Sequence, residues 1–476
     1  MAAFSIPGTQ PTHMELDLQR AVFTQHSQSE QSGVKATQCW YAHRARPSLL
    51  IYEADISTQD QEFQLSVDNA AGPSSGDFTF GAPHIISLAG AGRVLLTVGQ
   101  TTEAEQIDGP AVTIAIVSTL LPVDIGIPAN TSSHSMLSIT AIRTSLDAKD
   151  PAEAAQHDYV AAWAQRDSLR AEHEAAWAAL WQHSVEVQGD VDLAQKVRSS
   201  WYYLLSSIRA DVPHSLSPGG LATDTFSGHV FWDAEVWMYP NLAVFHPELA
   251  KACVQYRFDR LAQAHVKANQ SGYRGAMFPW ESASAGCEAT PTAYETGTLE
   301  QHISADVSLS VKWLWEMARD ADWLREVGAQ LLFDIADFWA SRAECGTAED
   351  GTWSCNINGI TGPDEYHNYV NNNVYTNVAA QMALHFAAHV HTNILRLGRA
   401  PQTWLDVADA LPTAYDPVLL RHHEFSGYQG DKIKQADVVL LSYPLQYSMP
   451  REMVFPLRQF AIASGLVAPE LRTPID

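Results

Sequence analysis

The sequence predicts an α+β multidomain protein. Residues 1–146 read as an incomplete N-terminal β-sandwich, 147–190 as a helical linker, and 191–476 as an (α/α)6-type barrel that reads as truncated at its C-terminal end. Three observations predict this. Short apolar runs with turn punctuation fill the first 145 or so residues. The composition shifts to Ala-rich and charged at Asp147–Pro151. Beyond it, apolar residues recur in steps of three and four.

The strand-like runs are Leu49–Tyr52, Phe63–Val67, Val94–Val98 and Val112–Ile116, separated by Gly, Pro, Ser and Asp clusters. β-branched runs between turn formers are a strand signal, and several in series suggest a sandwich. Residues 152–183 carry Trp163, Trp177 and Trp181 at helical positions. Further on, Ile303, Val307, Val311 and Leu314 share a helix face, as do Leu324, Val327, Leu331, Ile335 and Phe338. Val378, Met382, Phe386, Val390 and Ile394 repeat by four, with Gly398 as a helix stop. About nine helical segments follow residue 191. A closed barrel of six helical pairs needs twelve, hence the expectation that the barrel is unfinished.

Composition excludes some partners. Against 54 acidic side chains stand 29 basic ones, a formal net charge of -25. Nucleic acids and anionic membranes attract basic surfaces, so neither is expected; a neutral sugar is compatible. No membrane-spanning run and no signal-peptide pattern is visible, which reads as cytoplasmic, and a homodimer is allowed. The five cysteines have no C-x-x-C spacing and read as thiols rather than a disulfide framework, although Cys345 and Cys355 flank a loop and could pair. None of the 19 histidines shows ligand spacing, so no metal is expected, and no Gly-rich phosphate loop calls for a cofactor.

Four segments join polar and aromatic residues at helix starts: Gly228–Trp237, Tyr273–Ser282, Gly362–His367 with the cluster Asn371–Asn373, and Lys434–Asp437. In an α/α barrel such loops gather at one end, where a pocket can form. Glycoside cleavage needs a carboxylic acid that holds its proton near neutrality. Glu365 has Asp364 as a like-charged neighbour and Tyr366 as aromatic cover, both able to raise its pKa. Trp232 and Asp233 offer a sugar platform beside an acceptor, and Lys434 and Gln435 offer donors. Trp280, Glu281, Asp364 and His367 are further pocket candidates. Each has a plainer alternative. Glu365 could cap a helix, Trp232 could be core with Asp233 at a helix start, and Lys434–Gln435 could be a solvated helix start. Trp280–Glu281 could be a self-packed loop, His367 structural, and Glu300 with His302 a satisfied helix-start pair.

Together, GHVFWDAEVWMYP, GYRGAMFPWESASAGCE, GPDEYHNYVNNNVYTN and KQADVVLLSYPL resemble glycoside hydrolase family 65, in order and spacing. The linker HEAAWAALWQHSVEVQGD does too, and the resemblance runs from about residue 35 to about 448. It implies a β-sandwich, a helical linker, an (α/α)6 barrel and inverting action on α-glucosides, by hydrolysis or by phosphorolysis of maltose, trehalose or kojibiose. A catalytically dead sugar-binding fragment is the third reading. The resemblance makes Glu365 the proton donor and Trp232, Asp233, Lys434 and Gln435 the glucosyl-binding residues. The wording of the motifs leans toward the hydrolase branch, which holds acid trehalase and the glucosidase of collagen glucosylgalactosyl-hydroxylysine. Two departures stand out: the family's first sandwich strands are not matched, and only 39 residues follow Asp437. The water-activating carboxylate that faces the acid in the hydrolases is expected downstream of the KQAD motif and falls on no residue here.

Overall fold

A computed structural model describes residues 10–29, 31–67, 75–106, 109–212, 214–347, 351–418 and 420–449. The expectations for the first nine residues and for the stretch from Pro450 onward lie outside the described residues. The chain forms two compact units, Met1–Tyr202 and Tyr203–Asp476.

The first unit is built on antiparallel strands β1 (Gln10–Asp17), β2 (Val22–Gln28), β3 (Lys35–Ala42), β4 (Leu49–Ser57), β5 (Phe63–Ser66), β6 (Phe78–Phe80), β7 (His84–Leu88), β8 (Gly92–Thr101), β9 (Thr113–Thr119), β10 (Asp124–Ile127) and β11 (His134–Thr144). Nine of them make one sheet in the order β1-β2-β3-β4-β11-β9-β8-β6, with β7 also on β8; β5 and β10 form a separate two-stranded ladder. Alternation along β4 explains how both faces are covered. Leu49 and Ile51 point to one core, with Val94, Val117 and Ile139. Tyr52, Ala54 and Ile56 point to the other, with Leu65, Val67 and Ile127. Side chains alternate across a strand, so one sequence can serve two cores. The expected sandwich is therefore one large sheet, with the β5–β10 ladder as its second β layer among the described residues.

Helices α1 (Pro151–Ala164) and α2 (Leu169–Trp181) cover the sheet's first face. Asp150 caps α1 by accepting the Glu153 N–H at 3.0 Å, and Pro151 follows at N1, where its missing N–H costs nothing. Tyr159 is 1% exposed and reaches the Thr119 hydroxyl at 2.9 Å. Burying a side chain of that size contributes about 1.5–3 kcal/mol.

Helix α3 (Val191–Ser206) leads into the second unit, which continues with α4 (Tyr239–Phe245), α5 (Pro247–Asp259), α6 (Leu261–Gln270), α7 (Thr296–Leu299), α8 (Ile303–Ala318), α9 (Ala321–Trp323), α10 (Ala329–Arg342), α11 (Val374–His389), α12 (Gln402–Ala410) and α13 (Asp437–Leu440). The periodic runs read from the sequence fall on α8, α10 and α11, the last two extended by π-helical turns at Leu324–Gly328 and Val390–Ile394. Helix α8 packs on α4, α5, α10 and α11 and is buried almost all round from Ile303 to Leu314. A helix buried on every side belongs to an interior layer. No helix among the described residues is long and apolar enough to cross a membrane.

The cysteines correct one expectation. Cys345 and Cys355 form a disulfide across the hairpin of β12 (Glu344–Thr347) and β13 (Trp353–Asn356), where the register places them opposite each other. Cys39, Cys253 and Cys287 lie outside it.

Candidate functional site

The four polar–aromatic segments do converge in the second unit: the first runs into the π-helical turn Ala234–Met238, the third with its Asn cluster ends at the start of α11, and the fourth opens α13, whereas the second, expected at a helix start, follows the end of α6 and lies 14 residues before α7. Val230 and Ser282 exchange backbone hydrogen bonds at 2.8 and 3.0 Å, joining the first segment to the second. Thr361 donates to the Leu299 carbonyl at 3.1 Å, joining the stretch before α8 to the Gly362–His367 segment. Gly362 lies so deep that a Cβ there would meet Asn373 Nδ2 at 2.2 Å and Asp437 Oδ2 at 2.6 Å. Glycine is what lets these loops close.

The Asn cluster staples the acid-bearing loop. Asn371 and Asn372 accept from the Gly359 and Ile357 amides at 3.0 and 3.1 Å. Asn373 caps α11 by accepting from the Thr376 amide at 3.0 Å, and its Nδ2 donates to Asp437 at 2.6 Å.

Glu365 is partly exposed, and its charged neighbour is Lys434, whose Nζ lies 2.8 Å from Oε1. This differs from the sequence expectation, in which Asp364 and Tyr366 set its environment. The Asp364 carboxylate is engaged elsewhere: it accepts the Lys434 amide at 2.6 Å and the His367 Nδ1–H at 2.6 Å. Tyr366 is 58% exposed, with Lys432 over its ring. A side-chain count of neighbours in sequence could not show which way each one points. Gln435 donates to the Pro363 carbonyl at 2.6 Å, so the loops bearing Glu365 and Lys434 are docked by side chains on both sides.

Trp232 is 4% exposed, a wall rather than an open platform. Its indole meets His302 at 4.8 Å and Tyr375 at 5.7 Å, both edge-on. Trp280 closes the same aromatic box, 6.0 Å from His302. Asp233 follows at the start of a π-helical turn, Ala234–Met238. Burial raises the Asp233 pKa, and the charges of Asp306 and Glu365 add to that, which puts Asp233 within electrostatic reach of the acid. The next carboxylate, Glu235, points the other way into a buried two-bond pair with Arg257, at 2.6 and 2.9 Å. Arg257 also donates to the Phe231 carbonyl and so fixes the turn.

Trp280 and Glu281 are held by a residue that the sequence reading missed. Glu288 accepts the amides of Trp280 and Glu281 at 2.9 and 3.1 Å and the Thr290 hydroxyl at 2.8 Å, and it pairs with Lys267. Glu281 itself accepts from His229 at 2.7 Å. Glu300 and His302 were expected as a satisfied helix-start pair. Instead both Glu300 oxygens are buried without a hydrogen-bond partner. No group of three or more His, Cys, Asp or Glu residues among those described is placed to hold a metal ion.

The arrangement offers a partly exposed carboxyl beside an ammonium, backed by an aromatic box and an electrostatically coupled second carboxylate. That is a set able to protonate a leaving oxygen and hold a polar ring.

Residues 198–397 match the family model for the glycosyl hydrolase family 65 central catalytic domain. The chain is 36% identical over 460 residues to the protein-glucosylgalactosylhydroxylysine glucosidase of Dictyostelium discoideum, covering 94% of this chain and 63% of that protein. It is 34% identical to the protein of the same name from Danio rerio, covering 92% of this chain and 67% of the relative. The chain thus spans about two thirds of the length of these relatives. Among solved structures, a putative kojibiose phosphorylase from human microbiome superposes with a TM-score of 0.74 at 17% identity, covering 93% of this chain and 67% of that one, a likeness of fold.

Proposed function

The chain belongs to glycoside hydrolase family 65, and on that premise we propose that it takes part in inverting hydrolysis of an α-glucosidic bond, with Glu365 as the general acid. The substrate class is an α-glucoside such as kojibiose, trehalose or glucosylgalactosyl-hydroxylysine. The observation that carries this reading is the 2.8 Å contact between Glu365 and Lys434, two residues 69 positions apart, beside the Trp232–Asp233 pair.

In this reading Trp232 and Asp233 hold the glucosyl ring, with Trp280 closing the box. Lys434 serves in two states. Without sugar it neutralises Glu365. When a glucoside binds, Lys434 and Gln435 turn to sugar hydroxyls, the released Glu365 carboxylate takes up a proton from solvent, and it passes that proton to the glycosidic oxygen as the bond breaks. Releasing the pair is inexpensive: both side chains are partly exposed, and exposed ion pairs contribute about 0–1 kcal/mol. Inversion calls for a second carboxylate that takes a proton from water across the ring; Glu365 supplies the acid half. Helices α8 and α11, buried on nearly every side, fit the inner ring of an α/α barrel.

The test is incubation of the protein with kojibiose, trehalose and glucosylgalactosyl-hydroxylysine, with and without inorganic phosphate. Phosphate-independent release of glucose, initially as the β-anomer by NMR and lost in Glu365→Gln, supports the proposal. Release of glucose 1-phosphate only with phosphate present would assign phosphorolysis instead. No product from any of them would support a sugar-binding role.

A further inference from the structure

Behind Trp232 runs a fully buried chain of titratable groups that the proposed reaction does not use. His302 stands at the N-cap of α8 and has no exposed surface. Its Nδ1 donates to Asp306 Oδ2 at 2.7 Å, and Asp306 Oδ1 accepts the Tyr375 hydroxyl at 2.7 Å. On its far side Nε2 faces Glu300 Oε2 at 3.5 Å, an ion-pair distance outside hydrogen-bond geometry. Three aromatic rings pack edge-on to the imidazole: Trp232 at 4.8 Å and 79°, Tyr375 at 5.3 Å and 87°, and Trp280 at 6.0 Å and 78°.

The ring has little freedom to turn. Asp306 takes the Nδ1–H and so directs Nε2 at Glu300. The charges around it are mostly acidic: Glu300 and Asp306 on its own stretch, Asp233 at the π-helical turn and Asp437 at the start of α13. Tyr375 on α11 is neutral, and Arg257 on α5 is committed to Glu235. Buried carboxylates without a countercharge are costly.

We propose that His302 is a positioning residue for the glucosyl site: clamped between Asp306 and Glu300, it fixes the Trp232 indole edge-on and supplies the countercharge for Asp233. The proposal rests on the reading that Trp232 and Asp233 hold the sugar. Burial pulls the His302 pKa down, but the charge and hydrogen bond of Asp306, with Glu300 beside it, outweigh that and hold it up at about 9. Burial pushes Glu300 up to about 8, against the pull of His302. At neutral pH the chain therefore carries a cation at its centre, oriented by the Asp306 hydrogen bond on one side and facing, on the other, a Glu300 carboxyl that keeps most of its proton.

Two measurements on the full chain test this, and the first needs no activity. With 15N-histidine labelling, the His302 ring, identified by its loss in His302→Gln, is expected to stay an imidazolium through pH 8. Glu300→Gln moves its titration to lower pH. Tryptophan fluorescence is expected to step with pH near 9 in the wild type and not in His302→Gln or Trp232→Phe. A neutral His302 ring at pH 7, or no fluorescence step, overturns the proposal whether or not the chain proves to be a glucosidase. The second measurement is steady-state kinetics on kojibiose. His302→Gln is expected to lose at least tenfold in kcat/KM and to lose the alkaline limb of its pH profile, while Glu300→Gln shifts that limb to lower pH. A folded His302→Gln with wild-type kcat, KM and pH profile overturns it. Absence of glucose release by the wild type from kojibiose, trehalose and glucosylgalactosyl-hydroxylysine alike sinks the glucosidase reading and leaves the spectroscopic test of His302 to decide.

Discussion

The carboxylate of Asp364 accepts the backbone N–H of Lys434 at 2.6 Å, although the two residues are 70 positions apart. A second bond from the His367 ring to the same carboxylate, also 2.6 Å, completes a buried anchor. Asp364 thus sets how far Lys434 stands from Glu365, its own neighbour in sequence. Its carboxylate ties the two loops together.

Asp364→Ala is accordingly expected to weaken activity without touching substrate. It leaves the Lys434 amide and His367 without their acceptor, and an unsatisfied buried group costs about 1–3 kcal/mol. The expected result is at least a tenfold fall in kcat/KM on kojibiose together with a lower Tm. Asp364→Asn, which keeps one acceptor oxygen, should lie between. Wild-type kinetics in Asp364→Ala would remove this anchor from the mechanism.

How far such relationships can be read from sequence depends on whether both partners carry a local signal. Glu365, Lys434 and Trp232 could be found because each lies in a short polar–aromatic run at a helix start. The periodic faces of α8, α10 and α11 were legible because a buried helix repeats its apolar residues. Glu288 carries no such mark: its meaning comes from the amides of Trp280 and Glu281, which accept any sequence. His302 stands out in the sequence beside Glu300, but its place in the site is not legible there, since Tyr375 and Trp232 reach it from other elements. In the first unit, alternation revealed the strands but not their layer. Nothing in Phe63–Val67 says that β5 pairs with β10 off the main sheet.

Glu288 should prove a stability hub as well as a loop organiser. Its partner Lys267 is largely buried, and burial lowers that ammonium's pKa against the pull of Glu288. Removing one member of a buried pair costs about 3–5 kcal/mol, because the other is left uncompensated. Glu288→Gln is therefore expected to lower the urea midpoint strongly. Adding Lys267→Met should recover part of that loss without restoring the Trp280–Glu281 loop. A double variant no more stable than Glu288→Gln would argue against an uncompensated lysine as the cause.

The disulfide makes a prediction about chemistry and compartment. Cys345 and Cys355 close a loop of about ten residues, worth roughly 2–3 kcal/mol by loop entropy. Thiol titration of the denatured chain should count three thiols before reduction and five after. Cys345→Ser should lower stability, with little further effect of reductant. Disulfides are uncommon in reducing cytosol, so this pair weighs against the cytoplasmic reading of the sequence. Five thiols in the freshly isolated native protein would restore that reading.

The buried carboxylates Asp437 and Glu424 make stability fall with rising pH. Burial raises Asp437 to about 7, with Asp364 adding and Asn373 opposing. Burial and the charge of Asp437 raise Glu424 to about 9. Both folded values lie above the ordinary carboxylate range, so the folded chain keeps protons that the unfolded chain has released. Their contribution is whole below about pH 4 and is lost as the pH rises through 7 and then 9. Glu300 and His302 act in the same direction, their contributions fading near 8 and 9. Urea unfolding at pH 5, 7 and 9 should show a progressive loss. Asp437→Asn isolates one contributor: the amide cannot ionise, and its oxygen can still accept from Asn373 Nδ2, the 2.6 Å bond of the wild type. That variant should lose less stability than the wild type between pH 5 and 9, by an amount on the order of a few kcal/mol at most. Parallel curves for the two proteins would mean that Asp437 is already ionised in the folded state at pH 5, with its charge met by groups other than a retained proton.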